Sequence, residues 1–384
     1  MALLEITDLT THFYTYEGVV QALDKVSLTI DHGETFGLVG ESGCGKSVTV
    51  QSMMGLVQPP GKIVGGSIWF CPDPQHPETG VDLLCLGEAK MRTLRGRQMA
   101  MIFQEPNAAL DPIMTVGKQI GEVFFFHCLD RLCADVRAGI ATDPYRYGLL
   151  PFLLQPIYGL VGRRPQTRWL RLLNRLPVVK GWRKPLWTAA FKRAADIIGR
   201  LGIARPREII FQYPHELSGG MKQRMVIAMA LAGDPVLLIA DEATSNLDVT
   251  IQAQILDLIV KLKEDTLSAL LFITHDMGLV AEICDRVGVM YAGTLCEVAT
   301  VKELFNEPAH PYTLALLSSV PKLTGKGELT TISGSVPNLT SPPSGCRFHP
   351  RCHRAVGLCR TEKPGLLTIS DTHQVACHHL EKFA

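Results

Sequence analysis

The chain lacks any run of about eighteen apolar residues, so nothing in its 384 residues reads as a membrane-spanning helix. It lacks a charge imbalance as well: 38 Lys and Arg stand against 37 Asp and Glu, for a net charge of +1, and no global basic field points to nucleic acid. Met1-Ala2-Leu3-Leu4-Glu5 has no basic n-region and a strand-like pattern begins at once, so no secretory signal is expected there. Internal repeats and low-complexity tracts are missing too. Cysteine is not scarce. Eleven cysteines in a chain read as lacking a signal sequence argue for reduced thiols or metal ligands rather than disulfides. With 46% hydrophobic residues, the chain has the length for two domains and a large core.

The first informative stretch is Gly40-Glu41-Ser42-Gly43-Cys44-Gly45-Lys46-Ser47, which fits the phosphate-cradling pattern G-x-x-x-x-G-K-[ST]. Glycines there let backbone N–H groups converge on phosphate oxygens, while Lys46 reaches the terminal phosphates and Ser47 holds Mg²⁺. Cys44 fills a variable position. Thr35-Phe-Gly-Leu-Val39 reads as a buried strand, and from Ser47 and Val48 onward the chain opens a helix whose N-terminus favours anions. A glycine turn alone is weak evidence; ordered elements downstream make it an ATP site.

Those elements follow an α/β pattern. Val26–Ile30, Ser67–Phe70 and Met99–Phe103 read as short strands, and residues 111–216 as mostly helical. Met221–Leu231 reads as an apolar helix. Val236-Leu-Leu-Ile-Ala240, ending at Asp241, suits a fully buried parallel strand, as does Ala269-Leu-Leu-Phe-Ile273 before Thr274-His275. Between them Ile251, Ile255, Leu256, Ile259 and Leu262 recur at helical spacing. Ligands of such sheets bind at the carboxyl ends of the strands. There Asp241 is placed to bind Mg²⁺ and Glu242 to polarise an attacking water. Gln104 follows the Met99–Phe103 strand, where its amide could reach the metal or the water, and His275 ends the next strand, where it could contact the γ-phosphate.

This ordered set, with Leu217-Ser218-Gly219-Gly220-Met221, resembles the nucleotide-binding subunits of ATP-binding-cassette transporters. The resemblance implies a P-loop ATPase core with an antiparallel β subdomain and a helical subdomain, over residues 1–290. It implies that Ser218, Gly219 and Gly220 face the nucleotide of a second subunit, that Gln104 is the Q-loop residue and His275 the switch histidine. Ser245-Asn246-Leu247-Asp248 would be the D-loop. Phe13 matches the aromatic that stacks on adenine, with a buried core Phe as the other reading and Tyr14 or Tyr16 as substitutes. The family's usual Asp-Glu-Pro-Thr reads Asp241-Glu242-Ala243-Thr244 here, and Asn246 stands where Ala is common; neither removes a catalytic group.

Downstream, Glu307-Pro308-Ala-His310-Pro311-Tyr312-Thr313, Ile332–Pro337 and Gly345-Cys346-Arg-Phe-His-Pro350-Arg-Cys352 resemble the C-terminal signature of oligopeptide/dipeptide importer ATPases, in a 291–345 extension. That resemblance implies a second related ATPase, two permease subunits and an extracytoplasmic solute-binding protein, at the cytoplasmic face of the inner membrane. Peptides are the default cargo, with nickel chelates and other solutes carried by close relatives. A small Cys-rich domain over 346–384 holds Cys346, Cys352, Cys359 and Cys377, enough thiols for a soft-metal site. Their spacings of five, six and seventeen residues match neither a zinc ribbon nor a ferredoxin run. Zn²⁺, an iron–sulfur cluster and unligated thiols all stay open on chemistry, and His353, His373, His378 and His379 leave room for mixed zinc ligation. Family resemblance favours a [4Fe–4S] cluster.

One stretch departs from the family. Pro144–Ala195 carries eleven Lys or Arg and no Asp or Glu, together with Trp169, Trp182, Trp187 and the apolar run Gly148–Val161. Basic, Trp-rich sequence of this kind suits contact with anionic lipid. Packing on its own helical subdomain and docking on a partner subunit are the alternatives. A soluble cassette ATPase acting as a switch in DNA repair or translation is the rival function, but such proteins usually carry two cassettes or long nucleic-acid insertions. A non-hydrolysing scaffold is disfavoured by Glu242, Gln104 and His275.

Overall fold

The computed structural model describes residues 2–142, 155–163, 183–243, 248–266, 269–319 and 332–379. Ser245, Asn246 and Leu247 of the expected D-loop, and Trp169 and Trp182, lie outside them. The chain divides into two compact units, one of Met1–Arg92, Val236–Glu242 and Ile259–Ala384, the other of Thr93–Pro235 and Ala243–Leu258.

The first unit holds two sheets. In the smaller, strands β1 (Ala2–Thr15), β2 (Gly18–Asp31), β4 (Gly61–Phe70) and β5 (Val81–Asp82) pair antiparallel in the order β2-β1-β4-β5. Period-2 alternation explains its buried face: Val26, Leu28 and Ile30 are buried opposite Leu9, Ile6 and Leu4. In the larger, β3 (Thr35–Val39), β7 (Leu237–Asp241), β8 (Ala269–Thr274) and β9 (Arg286–Tyr291) run parallel in the order β9-β3-β8-β7. Every residue of β3, β7 and β8 is buried, as unbroken apolar runs require of strands covered on both faces. β10 (Thr294–Thr300) pairs antiparallel with β9, and β12 (His373–Val375) pairs with β10 and with β11 (Leu367–Ser370). Tail residues therefore extend the sheet.

A buried carboxylate organises this end of the unit. Glu297 on β10 is fully buried and accepts hydrogen bonds from the backbone N–H groups of Ala309 (2.7 Å) and His310 (2.9 Å), and it pairs with His373 Nε2 at 2.7 Å. The ring nitrogen Nδ1 of His310 in turn accepts from Tyr312 N–H at 3.0 Å, capping the helix Pro311–Ser318. Tyr291, Tyr312 and Phe348 then pack ring against ring, with centroids 4.7 to 5.3 Å apart.

The second unit is helical around the strand Met99–Ile102. Trp187, on the helix Arg183–Arg200, stacks 4.4 Å from Phe125 and 5.7 Å from Phe191, and Phe191 lies 5.9 Å from Phe211. A side chain at Gly121 would strike the Trp187 ring, so the glycine lets that helix seat against Val116–His127. Helix Gln155–Arg163 buries Tyr158 and Val161 completely, packed on Leu129–Thr142. Arg193 forms a two-point pair with Asp135. Where it is described, the basic stretch is thus packed into its own subdomain through Tyr158, Val161, Leu186 and Trp187, with Arg183, Lys184 and Lys192 exposed.

Candidate nucleotide-binding site

Parallel register brings the chemistry of the first unit together. Val39 at the end of β3 lies opposite Thr274 of β8, and Asp241 at the end of β7 lies opposite Ile273. Three strands thus deliver the phosphate loop, Asp241-Glu242 and His275 to one edge of the sheet. Gly40 and Gly45 adopt positive φ, and a side chain on either would collide with backbone (the Met290 carbonyl at Gly40, the Ala22 carbonyl at Gly45). Gly43, also at positive φ, has open space around it. Cys44 is buried and its thiol pushed up by that burial, whereas Ser42 and Ser47 are exposed and Val48 half-buried on the helix Lys46–Met53. Buried Lys46 donates from Nζ to the carbonyls of Gly40 (2.7 Å) and Glu41 (3.2 Å).

Ser47 Oγ donates to Asp241 Oδ1 at 3.3 Å. Burial raises the Asp241 carboxyl, and the Ser47 bond only partly offsets it. A hydroxyl and a carboxylate oxygen so placed suit a hard cation such as Mg²⁺. Glu242 sits at φ 46° with its N–H donated to Ile273 O at 3.0 Å, and its Oε1 lies 3.4 Å from His275 Nδ1. Phe13 on β1 is half-buried with its ring over Gly61, while Tyr14 is 50% and Tyr16 97% exposed.

The second unit carries Gln104 and the signature. Ser218 caps the helix Gly219–Leu231, accepting from Met221 N–H at 3.4 Å. Gly219 has open space around it, and Gly220 faces Ile251. Gln104, Asn107, Gly219, Lys222 and Gln223 line a common cavity, whose wall is tied by Lys222 Nζ to Asn107 Oδ1 (3.0 Å) and Gln223 Nε2 to the Ala243 carbonyl (2.6 Å).

Cys346, Cys352, Cys359 and Cys377 line one small cavity in the first unit, with His310, His349, His378 and His379. Burial pushes the Cys346 thiol up to about 11. His373 is taken by Glu297, His353 is exposed, His378 Nε2 donates to Glu362 O, and buried His379 Nε2 has no hydrogen-bond partner among the described residues. Among those residues no three His, Cys, Asp or Glu side chains come together closely enough for a single metal ion.

The sequence reading missed what holds the phosphate loop from behind. Arg351 and Tyr312 entered it only as letters of the tail's resemblance, yet Arg351 pairs with the Glu41 carboxylate and Tyr312 OH accepts from Glu41 N–H at 3.0 Å.

A phosphate loop, an acid-ended strand and a strand-end histidine on one parallel sheet, with a helix-capping Ser-Gly-Gly in a helical unit, define an ATP-binding cassette ATPase. Solved structures of the ATP-binding cassette MJ0796 share the fold: a dimeric post-hydrolysis state bound to ADP and Pi superposes with a TM-score of 0.53 at 20% identity, over 78% of this chain and 98% of that one. A second dimeric structure of the same cassette gives 0.52 at 21% identity, over 78% and 98% of the two chains. A family model described as ABC transporter matches residues 23–245, and one described as oligopeptide/dipeptide transporter, C-terminal region, matches residues 296–359. The chain belongs to the ABC transporter family, in the branch that carries the oligopeptide/dipeptide C-terminal region. The oligopeptide transport ATP-binding protein OppD of Bacillus subtilis is 42% identical over 97% of this chain and 87% of its own length. The dipeptide transport ATP-binding protein DppD of the same organism is 41% identical over 97% and 93%. A probable peptide ABC transporter ATP-binding protein, y4tR of Sinorhizobium fredii, is 42% identical over 98% and 94%. Among the described residues no helix is long and apolar enough to cross a membrane.

Proposed function

We propose that this protein is the ATP-hydrolysing subunit of an importer of di- and oligopeptides, working at the cytoplasmic face of the membrane. The observation that carries this reading is the meeting of Lys46, Ser47, Asp241, Glu242 and His275 at one sheet edge, in a chain with a peptide-transporter C-terminal region. Lys46 and the N–H groups of Gly43, Cys44, Gly45, Ser47 and Val48 hold the phosphates, and Phe13 stacks on adenine. Ser47 and Asp241 would hold Mg²⁺, which supplies charge neutralisation at the β- and γ-phosphates. Glu242 accepts a proton from the attacking water as its oxygen bonds to the γ-phosphorus. The bond from that phosphorus to the bridging oxygen breaks, releasing ADP and phosphate. His275, hydrogen-bonded to Glu242, positions the γ-phosphate. Ser218, Gly219 and Gly220 complete the site of a second, homologous ATPase, so closure of the pair drives two permease subunits fed by an extracytoplasmic binding protein.

Two finer assignments accompany this reading. The four tail cysteines fit a thiolate-ligated group because all line one cavity, yet they are not gathered around a single point. A [4Fe–4S] cluster, the group implied by the tail's resemblance, would take one thiolate per iron, with a single zinc ion as the alternative. The exposed cations Arg183, Lys184 and Lys192 of the acid-free stretch support a contact with anionic lipid. Reconstitution of the chain with its permeases, partner ATPase and binding protein tests the main reading. ATP hydrolysis should rise when a peptide-loaded binding protein is added, and no response to any peptide, with a response to a nickel chelate, would reassign the cargo.

A further inference from the structure

Glu41 is the second residue of the phosphate loop, and every polar group it has is engaged. Its N–H donates to Tyr312 OH at 3.0 Å, its carbonyl accepts from Lys46 Nζ at 3.2 Å, and its carboxylate accepts two hydrogen bonds from Arg351 Nη1, at 3.0 and 3.1 Å. Arg351 comes from the tail, 310 residues downstream, and its side chain is only 5% exposed. The rest of the guanidinium is fixed as firmly. Nη1 also reaches Tyr291 OH at 3.3 Å, Nε donates to the Ser333 carbonyl at 2.9 Å and Nη2 to the Ile332 carbonyl at 3.2 Å, while the group lies 5.7 Å from the Tyr291 ring centre. A buried, five-donor cation has thus been placed behind a loop that binds a polyanion.

The charge arithmetic gives this placement a purpose. A carboxylate in a loop that receives a triphosphate repels it, and burial weakens the solvent screening that would otherwise hide the repulsion. Arg351 cancels the Glu41 charge and holds the carboxylate turned toward the tail. We infer that Arg351 is a positioning residue of the ATP site, through which the C-terminal region sets nucleotide affinity by masking Glu41. It does not touch the reacting atoms; it acts through Glu41. The alternative is a staple that merely fastens the tail.

The two differ in what removing charge does. Full-length protein would be titrated with ATP by calorimetry, at low and high salt, with circular dichroism to verify folding. Arg351→Gln keeps most of the packing but leaves the carboxylate bare, and should weaken ATP binding about tenfold, the size of one poorly screened charge contact. Arg351→Lys keeps the charge but not the fork of donors, and should lose less affinity than Arg351→Gln. Adding Glu41→Gln to Arg351→Gln should restore affinity, and the Arg351→Gln defect, arising in a poorly screened site, should persist at high salt. Glu41→Gln alone, which leaves Arg351 beside the loop without a counter-charge, should bind ATP more tightly than the wild type. That single variant decides the matter even where Arg351→Gln fails to fold. Equal loss in Arg351→Lys and Arg351→Gln, no rescue by the second substitution, or weaker binding by Glu41→Gln would each overturn the inference. It rests on the phosphate loop binding ATP, and failure of that reading would show separately, as no ATP binding by the wild type.

Discussion

Removing the carboxylate of Glu297 should detach the C-terminal region from the sheet while leaving the phosphate-loop strand in place. Glu297 is 0% exposed, and three donors converge on it: two backbone N–H groups, of Ala309 and His310, and the His373 ring. In Glu297→Ala all three lose their acceptor in a buried site. Each stranded buried group costs about 1–3 kcal/mol, so the three together cost at least about 3 kcal/mol. Glu297→Gln keeps one carbonyl oxygen but turns an amide N–H₂ toward a donor, so about 2 kcal/mol is expected, roughly one unsatisfied N–H with some loss of charge assistance. Urea unfolding of the full chain would read the loss. Hydrogen exchange would localise it, because the amides of Ala309 and His310 should lose protection while those of β3 and β8 keep theirs. Unchanged protection at Ala309 and His310 in Glu297→Ala, with an unfolding midpoint equal to the wild type, would refute this account of how the region is held.

In the assembled importer, Glu242→Gln should keep Mg-ATP binding but lower turnover by about 10²–10⁴, the usual worth of a general base, whereas Lys46→Ala should weaken binding itself. Steady-state kinetics beside equilibrium nucleotide binding separates the two, and near-normal turnover by Glu242→Gln would remove the base assignment. On the role proposed for Ser218, Gly219 and Gly220 at the other subunit's nucleotide, the chain alone should hydrolyse ATP slowly, with specific activity rising with concentration; full activity in a strictly monomeric sample contradicts this. Anaerobically purified protein should contain iron, labile sulfide and broad absorption near ~400 nm, lost in Cys359→Ser, while one equivalent of zinc without iron would assign structural zinc instead. Burial alone would raise the Glu303 carboxyl, but hydrogen bonds from Thr300, Thr372 and Ser370 outweigh it and hold it down to about 2. A depressed folded value means this contribution is present above the ordinary value of 4.5 and is lost as pH falls toward about 2, so acid titration of stability should be flatter there in Glu303→Gln.

What could be read from the sequence was local, and what could not was long-range. Val236–Ala240 and Ala269–Ile273 read as buried parallel strands because both faces of such a strand are covered and the apolar run needs no partner to be seen. The phosphate loop was legible for the same reason: its glycines answer to positive φ and to backbone crowding within a few residues. From the strands, the convergence of Asp241 and His275 follows, since parallel strands in register end together. The outer sheet was harder. β1 and β2 run fourteen residues each, but a register shift between Ile6 and Leu9 interrupts the alternation, and only the strand-like start of the chain and Val26–Ile30 stood out. Composition misleads where orientation decides: Trp187 counts among basic, aromatic residues in the sequence, yet its ring rests on Gly121 and Phe125. The hardest case is the pair that matters most to the loop. Nothing in Phe348-His349-Pro350-Arg351-Cys352 states that Arg351 will face a carboxylate 310 residues earlier, because the fold of the whole tail brings them together. Glu297, His310 and Tyr312 fix one side of that approach and the Tyr291–Phe348 packing fixes the other. A chain cut before its tail would therefore lose more than a cysteine-lined cavity: the phosphate loop would keep its sequence and lose the cation that masks Glu41.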